Sequence, residues 1–269
     1  SNEALVSFKQ IHESPENFCC PDAVTLACAL KACGILKDPL NGRNMHTEIV
    51  LKGYSGDPLL YTSLISMYVS CGFFSEAREV VESLPVRDVV SWTALISGYV
   101  DHGLSKEALD CAQMMEMDGI SPNIVTFCCL LKACGDTTCI DLAEAHLIYM
   151  KTLQTGYEKH LLVGNTLVGL YAKHGALQEA EHIFHRLVDR TVVSWNALIS
   201  GYTIHGHNEA ALNCFSEMQD KGFSPNAVTF TCILKACANT RSIHKGRKIH
   251  DEIVNKGLLD RNIVLGTAL

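Results

Sequence analysis

Apolar residues recur along this chain at helical spacing and are cut off at intervals by glycine. Leu95, Ile96 and Tyr99 belong to one such run, which ends at Gly103. The stretch after it, EALDCAQMM, is amphipathic and rich in strong helix formers. The pattern predicts two helices joined by a tight turn, and it recurs. VVSWTALISGY from Val89 to Tyr99 returns as VVSWNALISGY from Val192 to Tyr202, an offset of 103 residues, with Thr93 against Asn196 as the one change. An internal period is a better guide to architecture than the 269-residue length, so an all-α solenoid of stacked hairpins is the predicted fold.

Aligning on Leu64, Leu95, Leu167 and Leu198 divides the chain into blocks at 23–57, 58–88, 89–123, 124–160, 161–191, 192–226 and 227–262. Residues 1–22 are the tail of a preceding block and 263–269 the head of another. Gly72, Gly103, Gly175 and Gly206 all fall at position 15, and Ala77, Ala108, Ala180 and Ala211 at position 20. Glycine there stops one helix, and alanine lets the next approach closely. Blocks ending in Pro21-Asp22, Pro122-Asn123 and Pro225-Asn226 pair a helix terminator with a residue that caps the following helix.

With 48% hydrophobic and 19% charged residues the chain has enough apolar surface for a continuous core and is not a disordered segment. Apolar stretches are broken well short of a membrane span, so no membrane contact is expected. The formal charge of −7 has the wrong sign for a protein that grips nucleic acid mainly through phosphate, although a ligand feels one local groove and not the sum. The thirteen cysteines follow the repeat: Cys28, Cys129 and Cys232 share one position, and Cys33, Cys134 and Cys237 another. They read as small apolar helix residues in a reducing compartment. Without any C-x-x-C pair, no metal site is expected.

Blocks of unequal length in rotation, with W-x-A-L-I-S-G-Y, a block-ending S-P-N and L-K-A-C in every third block, resemble the pentatricopeptide repeat (PPR) family in its plant PLS form. The constant 34-residue period of tetratricopeptide repeats would not yield a 31-residue unit. The resemblance makes 89–123 and 192–226 P repeats, with 1–22 a partial P repeat. It makes 58–88 and 161–191 S repeats, with 263–269 the start of another, and 23–57, 124–160 and 227–262 L repeats. It implies a right-handed α-solenoid superhelix of helix-turn-helix repeats that binds single-stranded RNA, one base per repeat.

Positions 2, 5 and 9 of a first helix share one face, being three and four residues apart. Position 2 is apolar in every block: Val24, Leu59, Val90, Val125, Leu162, Val193 and Val228. From the residues alone these read as core; the resemblance makes Leu59, Val90, Val125, Leu162, Val193 and Val228 the pairs that sandwich bases, and an apolar platform suits stacking. Base choice then falls on position 5 and the last residue of the block. Ionised Asp only accepts hydrogen bonds and suits the ring N–H of G or U, whereas Asn also donates and suits the bare ring nitrogen of A or C. The resemblance adds that Thr at position 5 goes with purines and Asn with pyrimidines.

On these rules Thr62 with Asp88 reads G, Thr93 with Asn123 reads A, and Asn196 with Asn226 reads C, with U second. Asn165 with Thr191 favours a pyrimidine, and Thr231 with Asn262 reads A. Ala27 with Asp57 and Cys128 with His160 fit no pair. The expected site is 5′-G-A-N-Y-C-A-3′. Lys31, Lys132 and Lys235 at position 9 of the L repeats could meet phosphate, or could be solvated lysines repeated by descent.

Many PLS proteins direct C-to-U editing in plant organelles, some through a C-terminal zinc deaminase with H-x-E and P-C-x-x-C signatures. His46-Thr47-Glu48 and His250-Asp251-Glu252 match H-x-E, but no P-C-x-x-C follows, so neither catalysis nor a cofactor is expected of this segment. Plastid or mitochondrial residence follows from the resemblance alone. Apolar faces left at both ends of the array predict self-association. The rival reading is a protein-binding scaffold, because L repeats in the family contact organellar editing cofactors.

Overall fold

The computed structural model describes residues 21–54, 56–135 and 142–258, and all of its elements are helical. The chain divides into two compact units, residues 1–139 and 140–269. The first contains α1 (Ala23–Leu36), α2 (Pro39–Leu51), α3 (Pro58–Ser70), α4 (Phe74–Glu82), α5 (Val89–Asp101), α6 (Ser105–Met117) and α7 (Ile124–Cys134). The second contains α8 (Leu142–Thr155), a 3₁₀ turn (Tyr157–Lys159), α9 (Leu161–Lys173), α10 (Leu177–Arg186), α11 (Val192–Ile204), α12 (Asn208–Asp220), α13 (Ala227–Asn239) and α14 (Ile243–Asn255).

Each unit has two layers. In the first unit α1, α3, α5 and α7 pack side by side in that order; in the second, α9, α11 and α13 do the same. Each even-numbered helix from α2 to α6, and α10 and α12, packs both on its hairpin partner and on the odd-numbered helix that follows. Composition explains the division. The odd-numbered helices are apolar on nearly every side and need neighbours around them, whereas α4, α10 and α14 carry a single apolar stripe and face water with the rest.

The hairpin turn is set by backbone handedness. Gly103 and Gly206 adopt φ of 74° and 77°, a left-handed conformation that costs a side chain dearly. There the amides of Leu104 and His207 return to the carbonyls of Tyr99 and Tyr202, closing the helix end. One turn later Ala108 and Ala211 are fully buried, and no larger residue would leave the helices at this separation. The two tryptophans, Trp92 and Trp195, are also completely buried.

The cysteines do not all behave as core residues. Cys33, Cys134 and Cys237 are buried, but in the other set Cys129 is buried, Cys232 half-buried and Cys28 exposed. Cys111 and Cys214 lie deep enough that burial pushes their thiols up to about 11 and about 12. The expected block 263–269, and all of block 1–22 but Pro21 and Asp22, lie outside the described residues. No helix among the described residues is long and apolar enough to cross a membrane.

Candidate nucleic-acid interface

The interface is built from the N-terminal turns of the odd-numbered helices. Every one of these helices is entered through a capping residue: Asp22, Asp57, Asp88, Asn123, His160, Thr191 and Asn226. The side chains of Asp88, Asn123 and Asn226 accept the backbone N–H three residues on, at 2.8, 2.9 and 3.1 Å. His160 caps more weakly, its Nδ1 accepting from the Leu162 amide at 3.3 Å. Capping is therefore an established role of these residues, whatever else they do.

The second residue of each odd-numbered helix faces water. Val24, Leu59, Val90 and Val125 in the first unit, and Leu162, Val193 and Val228 in the second, are between 48% and 61% exposed. The core role that the residues alone suggested is wrong for all seven. The reason is positional: in the first turn the third and fourth residues, such as Ser91 with Trp92, are the ones turned inward, which leaves the second on the outer side.

The fifth residues are brought to the seams between odd-numbered helices, with uneven access. Thr62 is half-buried and lines one cavity of about 350 Å³ together with Asp88, Pro58 and Tyr61. It also lines a second groove with Leu59, Ser66 and Lys31. Its hydroxyl donates to the Pro58 carbonyl at 2.8 Å. Thr93 and Asn196 are nearly covered, each 9% exposed. The Thr93 hydroxyl bonds that of Thr126 at 2.7 Å, and Thr126 bonds Asn123 Oδ1 at 3.0 Å. Asn196 Nδ2 donates to Asn226 Oδ1 at 3.1 Å, and Thr229 Oγ1 donates to Asn196 Oδ1 at 2.6 Å. Asn165, half-buried, accepts from Ser194 Oγ at 2.6 Å, and Ser194 in turn receives the Thr191 amide at 3.0 Å. Thr231 is half-buried and donates to the Ala227 carbonyl, while its partner Asn262 lies outside the described residues. Ala27 and Cys128 are buried.

Sequence reasoning passed over the hydroxyls at the third helix position: Ser91, Thr126, Ser194 and Thr229, all buried. The signal was present as Asp, Asn or Thr followed three residues later by Ser or Thr, the pattern of a capping box.

Charge is divided between the layers. The odd-numbered helices carry Lys31, Lys132, Lys173 and Lys235 against one acid, Asp101, while most of the carboxylates sit on even-numbered helices. Lys31, Lys132 and Lys235 are exposed. Among the described residues no group of three or more His, Cys, Asp or Glu could hold a metal. The two H-x-E sequences are taken up locally: His46 bonds the Tyr68 hydroxyl at 2.9 Å, Glu48 pairs with Lys52, and Glu252 with Lys256.

Repeat models match this arrangement along most of its length. The model described as PPR repeat family covers residues 87–136 and 190–239, and that described as PPR repeat covers 60–89, 165–192 and 228–258. The chain belongs to the PPR repeat family. Both models describe a repeat unit. Among PPR relatives of Arabidopsis thaliana, pentatricopeptide repeat-containing protein At4g18520, chloroplastic, is 34% identical over 93% of this chain and 40% of its own length. Pentatricopeptide repeat-containing protein CRR2, chloroplastic, is 35% identical over 86% of this chain and 36% of its own. The PPR chain thus spans about two fifths of these relatives. Among solved structures, PPR10 in complex with an 18-nt psaJ RNA element superposes with a TM-score of 0.76 at 21% identity, covering 95% of this chain and 38% of that one. A tetratricopeptide repeat protein from Parabacteroides merdae reaches 0.52 at 16%, covering 100% and 96%. The helical hairpin array is common to all three.

Proposed function

We propose that this PPR chain binds single-stranded RNA with one base per repeat, through repeats of the P, L and S types. The observation that carries the reading is the set of exposed valines and leucines at the second helix position in each unit, of which Leu59, Val90, Leu162 and Val193 each stand in a repeat with a polar pair. Apolar groups held in water at every repeat give a base something to stack on, and stacking is indifferent to base identity. The adjacent pairs Thr62–Asp88, Thr93–Asn123, Asn165–Thr191 and Asn196–Asn226 then supply the choice. Capping orients them. With Oδ1 of Asn123 and Asn226 engaged by backbone N–H, each amide has Nδ2 left to donate, as the ring nitrogen of A or C requires. Asp88 has its second oxygen left to accept, as the ring N–H of G requires.

The net charge of −7 is no obstacle, because it resides largely on the even-numbered layer, and Lys31, Lys132 and Lys235 stand in the odd-numbered one. Both PPR10, whose crystal structure holds RNA, and the chloroplastic names of the relatives agree with an RNA reader in a plastid or mitochondrion. The parent protein then serves organellar RNA processing, with selection of a cytidine for editing as its specific task.

Selection of bound sequences from a random RNA library tests this. The expected result is enrichment of G-A followed, after two intervening nucleotides, by C. A library that emerges without base preference would overturn the reading. A second reading, a scaffold for organellar editing proteins, draws on the buried Ala27 and Cys128, which with Asp57 and His160 make none of the base-reading pairs. A scaffold would be indifferent to Asn196→Thr, which should move an RNA reader from pyrimidine to purine at one nucleotide.

A further inference from the structure

We propose that the buried hydroxyls of Thr126 and Thr229, each the third residue of the helix after a reading repeat, are specificity-determining positioning residues: each fixes which hydrogen-bonding atom the preceding repeat's fifth residue presents to the base. The inference rests on the RNA reading above and concerns residues that RNA itself cannot reach, since both threonines are 0% exposed.

A hydroxyl has one proton to give and two lone pairs to receive with, and at Thr126 all three are spent. Thr126 Oγ1 donates to Asn123 Oδ1 at 3.0 Å and accepts from the Asn123 amide at 3.3 Å. Its remaining lone pair faces Thr93 Oγ1 at 2.7 Å, where either hydroxyl could donate; Thr93 as donor is the arrangement that keeps the Thr126 bond to Asn123 Oδ1 as well. With its proton committed inward, Thr93 keeps only lone pairs for the groove. Beside it Asn123 keeps only Nδ2 donors, since its Oδ1 receives both the Thr126 amide and the Thr126 hydroxyl. An acceptor next to a donor complements the amino group and bare ring nitrogen of adenine and opposes the oxo group and ring N–H of guanine.

In the second unit the same hydroxyl works in the opposite sense. Thr229 Oγ1 accepts the Asn226 amide at 3.1 Å and gives its proton to Asn196 Oδ1 at 2.6 Å, in preference to Asn226 Oδ1 at 3.1 Å. Asn196 is thereby held with oxygen toward Thr229 and nitrogen toward Asn226 Oδ1; turned over, it would set oxygen against oxygen. One rotatable hydroxyl thus serves a Thr or an Asn at the fifth position by reversing its own donor sense. Asn196 has a second tether in Asn226, whereas Thr93 depends on Thr126 alone among the bonds of its hydroxyl, so the first site is the more sensitive. At Thr62 the arrangement is absent, for its hydroxyl is turned back to the Pro58 carbonyl.

The test is the ratio of affinities for RNAs differing at one nucleotide, measured for the whole chain with Thr126→Val, Thr229→Val and the hydroxyl-keeping Thr126→Ser and Thr229→Ser. Valine preserves shape and removes only the hydroxyl. We expect the A-over-G ratio at the nucleotide facing Thr93 to fall about fivefold in Thr126→Val, as for one lost hydrogen bond, with a smaller fall in C over U for Thr229→Val. Both serine variants should keep the wild-type ratio. A purely structural role would weaken all RNAs alike; ratios that stay constant in both valine variants while the wild type discriminates overturn the proposal alone. A wild type without base preference removes the RNA reading and the proposal with it.

Discussion

Helices α5 and α11 share ten of their thirteen residues in register, differing at Thr93/Asn196 and at their last two positions, yet their surroundings differ in instructive ways. In the first unit the Trp92 indole donates to Asp118 at 3.2 Å, and Arg87 reaches the same carboxylate at 2.9 and 3.0 Å. In the second, Lys221 stands where Asp118 stood. Its ammonium lies 5.5 Å from the centre of the Trp195 ring, and the buried indole N–H has no hydrogen-bond partner among the described residues. Arg190, which corresponds to Arg87, turns to the Phe184 and His185 carbonyls at the end of α10 and covers the Phe184 ring. One reversed charge at the end of the same hairpin's second helix goes with a different setting for two side chains, Trp195 and Arg190, without altering the first helix. A conserved-looking string can therefore hide unequal energetics, because its partners lie about thirty residues away in the next layer.

The largest expected effect concerns the glycine in that string. A Cβ on Gly201 would lie 2.5 Å from Ala172 Cβ and 3.1 Å from its Cα, which cannot yield; on Gly98 it would meet the methyls of Val69 at 2.4 and 2.7 Å, whose side chain can turn. Gly201→Ala should cost about 2 kcal/mol even after the helix-propensity gain, and Gly98→Ala about 1 kcal/mol less than that, by chemical denaturation. Equal losses would show that backbone proximity does not govern the seam.

Next comes the exchange of Thr93→Asn with Asn196→Thr in one chain. Both repeats end in Asn, so base preference should trade places, A for C at one nucleotide and C for A at the other, by roughly 1 kcal/mol or about fivefold each in competition binding. A smaller effect is expected of Lys221→Asp. It gives Trp195 the acceptor that Trp92 has and returns Arg190 an anion, at the loss of a cation–π contact and the exposed Lys221–Glu217 pair. The net gain should be about 0.5 kcal/mol, seen as a raised melting temperature; a loss would mean that Arg190 stays on α10.

The smallest is a difference in titration. Burial and then the hydrogen bond to Glu181 raise the Tyr202 phenol far above its ordinary value of 10.0, whereas Tyr99, stacked on Phe74, is raised chiefly by burial. The folded chain holds the Tyr202 proton more tightly than the unfolded chain, so this contribution is full below pH 10 and is lost as pH rises beyond it. Phenolate absorbance should show Tyr99 ionising before Tyr202, and Tyr202→Phe should flatten the alkaline loss of stability.

Much of this molecule was legible in its sequence because its period makes each signal recur. Glycine at Gly103 and Gly206 and alanine at Ala108 and Ala211 mark the turn and the close approach by their chemistry alone. The exposure of Val90 and Val193 was not legible, since a valine two residues into an apolar helix reads as core until the neighbouring helices are in place. Nor was the near-closure of Thr93 and Asn196, which depends on Thr126 and Thr229, 33 residues further along the chain. Cys28 escaped for the same reason: its repeat position predicts burial, but the packing around it does not supply it. Periodicity reports what a residue is next to in its own hairpin, and the candidate interface is made between hairpins.

The capping residues carry one more implication. Asp88, Asn123 and Asn226 each start a helix while standing where a base would be judged, so one side chain answers to two demands at once. Any replacement that alters its preference must still accept a backbone N–H, or the following helix loses about 1 kcal/mol. That restriction leaves a vocabulary of short side chains bearing oxygen, and drift in the recognised sequence is confined to those few letters. A repeat can be respelled cheaply at its fifth residue, but at its last only in words that the next helix will also accept.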